Sequence, residues 1–345
     1  MGVVDTTPEL LHAAGALRRS FGTAVVAAVL VALIPSSVQA LAGDVKRYDQ
    51  PFKPTALAPG LSFTLWIAEE WSTPNGPRYA IGRKQGFHPR HDFLIPGPTT
   101  RLVVDLEGNL WTATSDAAGA PVMGRVTSTG AISSVRVPEA PTSIALGADG
   151  AIYFNQPTRF AVDKIVPPFT VPFHVVEYSG AFDNMIFDNL TRGADGNVWF
   201  SWSSSVGKIT PGGVISAGPT WAGLRVSGMA AVGDAIFAVM TGGGLYVTRF
   251  LPASRAITFL KPFPECGSGM AGGPDGNMWI LCITQNSNGS MTRVDNAGNL
   301  RRLGLPVDCF VTFGDCGGFV YRGLDGRTLI YTEPLANRIG VFSVF

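Results

Sequence analysis

Apolar residues come in short runs broken by glycine, proline, aspartate and asparagine, and one such phrase recurs along the chain. It is clearest as Leu190-Thr191-Arg192-Gly193-Ala194-Asp195-Gly196-Asn197-Val198-Trp199-Phe200 and returns at Met270 to Ile280. Further copies run from Ile144 to Phe154 and from Leu102 to Thr112, and weaker ones from Leu57 to Ile67, Met229 to Ala238 and Val320 to Tyr331. An aromatic or apolar marker ends each copy, at Trp66, Trp111, Tyr153, Trp199, Phe237, Trp279 and Ile330. These are seven copies at a mean spacing near 44 residues. A second phrase follows the first, as Val206-Gly207-Lys208-Ile209-Thr210-Pro211-Gly212-Gly213-Val214-Ile215, Met123 to Ile132 and Met291 to Leu300.

Each unit reads as four short strands. The Asp-Gly pair makes a tight turn between the first two, and the Pro-Gly or Asn-Ala-Gly stretch turns the third into the fourth. A four-stranded unit repeated at this period predicts an all-β fold, a seven-bladed β-propeller with four antiparallel strands per blade. The last unit reaches Phe345 after only three strands. Lys46 to Phe52 belongs to no unit, so it is expected to supply the missing outer strand of the last blade and close the ring without a free strand edge.

Composition agrees with this reading. The 42 glycines and 25 prolines among 345 residues exceed the roughly 12% combined share of ordinary proteins. The net charge of +1 gives no reason to expect nucleic acid as a partner. Residues 1–42 have the layout of a secretory signal peptide. Arg18-Arg19 precedes a 14-residue uncharged run, Phe21 to Ile34, with small-residue cleavage sites at Ala40 and Ala42. The propeller then occupies 43–345, in a periplasmic or secreted protein with no membrane span after cleavage. The mature part holds all four cysteines, an even count that suggests two disulfides in an exported chain. Cys266 and Cys282 flank the Pro274-Asp275-Gly276 turn symmetrically, and Cys309 and Cys316 can close a short loop, so Cys266–Cys282 and Cys309–Cys316 are the expected bridges.

The unit Gly-x-Asp-Gly-Asn-x-Trp-Phe followed by Gly-Lys-Ile-Thr-Pro-x-Gly-x-Ile resembles the virginiamycin B lyase family, over residues 46–345. The resemblance implies a seven-bladed propeller. It also implies an enzyme that opens streptogramin B antibiotics at an ester bond by elimination, with a magnesium ion and a histidine base. The residues before each first strand are Ala56, Arg101, Ser143, Asn189, Gly228, Gly269 and Phe319, and none is histidine.

Candidate site residues follow from the repeat. The position three after the marker is Glu69 in unit one and Glu333 in unit seven, which become neighbours on ring closure. Both are expected at the channel mouth, where paired carboxylates can hold a hard cation such as magnesium. Arg101, Asn189 and Trp202 are the other expected ligand contacts, Trp221 extends the aromatic wall, and Asp183, Asn184 and Asp188 offer further oxygens. The alternative for the glutamates is a hydrogen bond to their own turns, and for the tryptophans, packing. His88-Pro89-Arg90-His91-Asp92 reads as a solvated loop on the other face. Three functions remain open. They are a monomeric binding propeller for a small molecule or protein at the mouth, a carbon–oxygen lyase acting on a cyclic ester, and a metal-dependent lactonase-like hydrolase.

Overall fold

The structure, a computed structural model, describes residues 43–86, 88–99, 101–179, 188–263, 269–282, 288–308 and 319–345. The Asp-Gly turns form as the pattern requires. Gly150, Gly196 and Gly276 take φ of 75°, 78° and 72°, the left-handed region that glycine enters without a Cβ clash. Each turn folds an inner strand onto a second strand, and the chain forms seven four-stranded antiparallel sheets. Blade one comprises Lys53–Pro59, Thr64–Thr73, Gly76–Gln85 and His91–Ile95. Blade three comprises Ile144–Leu146, Ile152–Gln156, Ala161–Val166 and His174–Ser179.

Blade seven is built from both ends of the chain. Val320–Arg322, Thr328–Glu333 and Arg338–Ser343 are joined by Val45–Asp49 as the outer strand. Its register runs from Val45↔Phe342 to Asp49↔Arg338. The closing strand ends before the expected Phe52. Pro51 has no N–H to continue a ladder, and Phe52 instead stacks on Trp71 with ring centroids 4.3 Å apart.

The markers pack between sheets. Trp66 joins Ala56, Leu102 and Leu110 across the interface of blades one and two. Trp111 and Trp279 do the same for blades two–three and six–seven. Trp66, Trp111, Trp199 and Trp279 are all fully buried, and truncating such a ring costs about 3–5 kcal/mol. Because strand residues alternate faces, the marker faces the next blade, whereas the first and third residues after it face the previous one. Ile67, one after Trp66, packs on Ile330 and Ile339 of blade seven.

A cation stands opposite the marker on the third strand. The pairs are Trp66↔Arg83, Trp111↔Arg125, Tyr153↔Lys164, Trp199↔Lys208, Phe237↔Arg249 and Trp279↔Arg293. In blades two, four and six an aspartate of the turn joins the two. Asp105, Asp195 and Asp275 accept the indole N–H of Trp111, Trp199 and Trp279 at 3.0, 3.1 and 2.9 Å. The same aspartates pair with Arg125, Lys208 and Arg293 at 3.7, 3.4 and 2.8 Å. In blade three, Asp149 receives the Tyr153 hydroxyl at 3.0 Å and lies 3.3 Å from Lys164. The turns of blades two, three, four and six are therefore structural clasps.

Among the described residues, no helix is long and apolar enough to cross a membrane. Cys282 is disulfide-bonded. Cys266, Cys309 and Cys316 lie outside the described residues, and so does the expected pairing.

Candidate functional site

The channel mouth is the face where second strands turn into third strands and outer strands cross to the next blade. His88, His91 and His174 lie between or next to third and outer strands, on the opposite face. The chain's fourth histidine, His12, lies outside the described residues, and among the described residues no imidazole belongs to a connection at the mouth.

Glu69 does not begin a connection. The second and third strands of blade one run on to Thr73 and Gly76, which leaves Glu69 inside a strand and 2% exposed. Both carboxylate oxygens are taken by Arg90. Nη1 donates to Oε1 at 2.9 Å, and Nη2 makes a very short contact with Oε2. Arg90 starts just before the outer strand and crosses Gly82 on its way, where a Cβ would lie 2.6 Å from Nη2. It also donates to Gln50 Oε1 at 3.2 Å and Asp92 Oδ1 at 2.6 Å. The cluster thus ties blade one to the segment that closes blade seven.

Glu333 is equally buried, at 3%, with Arg47 Nη1 at 3.9 Å from Oε2. It lies on the face of Tyr331, which packs on Trp279 of blade six. Burial, and then the charge of Glu333, pushes the Tyr331 hydroxyl above its ordinary range. The expected carboxylate pair is therefore not formed. Glu69 looks into the gap between blades seven and one, Glu333 looks into the gap between six and seven, and the sheet of blade seven separates them. Parity decides this, because equivalent positions in adjacent blades all look the same way round the ring. Magnesium needs several oxygens converging in octahedral geometry. The described residues contain no cluster of three acidic, histidine or cysteine ligands, and Arg90 occupies Glu69. The expected magnesium does not fit these glutamates.

Other expected contacts divide. Asn189 is at the mouth end of its inner strand, with φ 51°, and its Nδ2 donates to Ser201 Oγ at 3.0 Å. Arg101 opens the inner strand of blade two, with its guanidinium 5.0 Å from the Phe319 ring across the channel wall. Burial pushes nearby Tyr321 up to about 12, with the Arg101 charge opposing the rise. Trp202 is not part of an aromatic wall. It is 5% exposed and packs with Tyr153 and Phe200 between blades three and four. Trp221, also 5% exposed, packs with Trp199 and Val226. Asp183, Asn184 and the side chain of Asp188 lie outside the described residues.

Two polar groups near the mouth were missed. Asn155 Oδ1 accepts the backbone N–H groups of Thr142 and Ser143 at 2.9 and 2.8 Å, which fixes the start of the inner strand. Asp163 and Gln156 face blade two with Phe154, at 2% and 0% exposure. Gln156 Nε2 makes a very short hydrogen bond to Asp163 Oδ2. Among the described residues, Asp163 Oδ1 and Gln156 Oε1 have no donor. Burial pushes the Asp163 carboxyl up to about 7. The signal was legible as an aspartate where other blades carry Gly82, Gly124, Gly207 or Gly340.

The fold defines a seven-bladed β-propeller, closed by its N-terminal strand. It is similar to virginiamycin B lyase from Staphylococcus aureus, at TM-score 0.67 and 18% identity, over 88% of this chain and 99% of that one. It is similar, at TM-score 0.68 and 18% identity over the same shares, to a catalytically inactive histidine-to-alanine form of that lyase with quinupristin. It also matches the extracellular domain of a putative one-component system from B. thetaiotaomicron, at TM-score 0.61 and 10% identity, over 88% of this chain and 40% of that one. No protein-family model and no curated protein matches the sequence.

Proposed function

We propose that the mature protein is an exported, non-catalytic propeller that binds a small molecule or protein segment at its channel mouth. The observation that carries this reading is that, among the described residues, no connection at the mouth carries an imidazole. The lyase with quinupristin is catalytically inactive as a histidine-to-alanine form, and the histidines described in this chain, His88, His91 and His174, lie next to outer strands on the other face. A positioned general base contributes about 10²–10⁴-fold in rate, so its loss separates a binder from an enzyme. The buried Glu69–Arg90 pair supports the same reading, because a carboxylate held by a guanidinium is a poor base. Arg101 and Asn189 remain as ligand contacts.

The test is to incubate mature protein with virginiamycin B and magnesium beside an active lyase and a blank. The expected result is linear product at the rate of the blank, with the intact antibiotic or another ligand retained in equilibrium dialysis. Turnover within about tenfold of the active lyase overturns the binding reading in favour of the carbon–oxygen lyase, since a missing base alone removes about a hundredfold or more.

A further inference from the structure

The seven inner strands touch one another in a closed ring around the channel. Strand register marks one common level on them, near the end away from the mouth. It is the inner-strand residue paired with the one just before each marker. In five blades that residue is uncharged: Pro59, Val104, Leu146, Ala231 and Gly272. In blades four and seven it is Arg192 and Arg322. The five uncharged residues are half-buried and both arginines are exposed. An inner strand is covered behind by its second strand and on both sides by neighbouring blades. What it exposes therefore meets the channel or one of its openings.

The two arginines stand on opposite sides of this collar, three blades apart one way round and four the other. Among the described residues, neither pairs with a carboxylate. The aspartates nearby belong to the turns and are engaged. Asp105, Asp149, Asp195, Asp234 and Asp275 each pair with the third-strand cation of their own blade. Asp325 Oδ1 accepts the N–H groups of Arg327 and Thr328 and the Thr328 hydroxyl. Two uncompensated guanidiniums thus share one opening in a chain of net charge only +1. Low-dielectric walls focus such a field and draw in counter-ions.

We propose that this collar is an anion-binding site for a small molecule carrying two or more carboxylate or phosphate groups. Each guanidinium takes one anionic group, because its planar fork matches either oxyanion. The body of the molecule lies against the arc of Pro59, Val104 and Leu146, and the small Ala231 and Gly272 leave it room. The site is separate from the mouth and does not depend on what binds there.

The test is calorimetric titration of mature protein with citrate and, separately, with pyrophosphate, each beside sodium chloride at equal ionic strength. The expected result is saturable one-to-one binding of at least one of the two, and none of chloride. Arg192→Gln and Arg322→Gln should each weaken it about tenfold, a loss of about 1.4 kcal/mol, and the double variant should abolish it. Arg255→Gln removes an exposed arginine from the turn between third and outer strands of blade five and should leave it unchanged. Tighter citrate makes the anion a carboxylate, and tighter pyrophosphate makes it a phosphate. No saturable binding of either overturns the site. Equal weakening by Arg255→Gln also overturns it, since affinity would then follow net charge alone. Either single variant carries the same test should the double variant not fold.

Discussion

At pH 8, Asp163→Asn should melt well above the wild type, and at pH 4 the two should melt together. Asp163 is buried between blades two and three, with its pKa raised from 3.8 to about 7 mainly by desolvation. The hydrogen bond from Gln156 and the charge of Arg159 oppose the rise, and Glu177 and Glu139 reinforce it. A carboxyl whose folded pKa lies above its unfolded value favours folding most fully below the unfolded value. That advantage fades as pH rises through the folded value, so stability is lost between about pH 4 and 7. The protonated acid also explains the geometry. Asp163 Oδ1 and Gln156 Oε1 are both acceptors without donors among the described residues, and a proton on Asp163 supplies a donor to this group of acceptors. An asparagine amide donates there at every pH. At about 1.4 kcal/mol per unit, with some solvent screening, the gain at pH 8 is about 2–4 kcal/mol. Thermal melts of both proteins from pH 4 to 9 check it, and parallel curves would refute a buried neutral acid.

Arg90→Leu should destabilise the protein by about 3–5 kcal/mol, the usual cost of leaving one member of a buried ion pair alone. The guanidinium is 18% exposed and the Glu69 side chain is fully buried, so water does not replace the lost partner. The same substitution releases Gln50 and weakens the link between blade one and the closing strand. Pairing it with Glu69→Leu should recover most of the loss, since an apolar pair of similar volume removes the buried charge. Urea denaturation of the two single variants and the double gives the coupling energy. If Arg90→Leu alone is neutral, Glu69 is not committed to Arg90 and is available to a ligand.

The fold was legible because every unit repeats a turn, a marker and a second phrase, and these set strand number, order and closure together. The closing strand was legible as the piece left over, although its end at Asp49 depends on Pro51 and on the Phe52–Trp71 stack. The site was much less legible. Counting three residues from the marker correctly placed Glu69 and Glu333 in adjacent blades, but strand alternation turns both the same way round the ring and keeps them apart. Arg90 reads in the sequence as part of a solvated loop, whereas its reach to Glu69 across Gly82 joins residues 21 apart in sequence. Trp202 shares the parity of Glu69 and is buried against blade three for the same reason. The cations opposite the markers are visible in the sequence once the strands are in register.

The central claim, a channel mouth that binds without the metal and base of a lyase, is tested most directly by crystals of the mature protein soaked with quinupristin and with manganese in place of magnesium. The account predicts ligand density at the mouth near Arg101 and Asn189, an intact ester, and no anomalous manganese peak at Glu69 or Glu333. A manganese ion held by either glutamate beside an opened ring would contradict it.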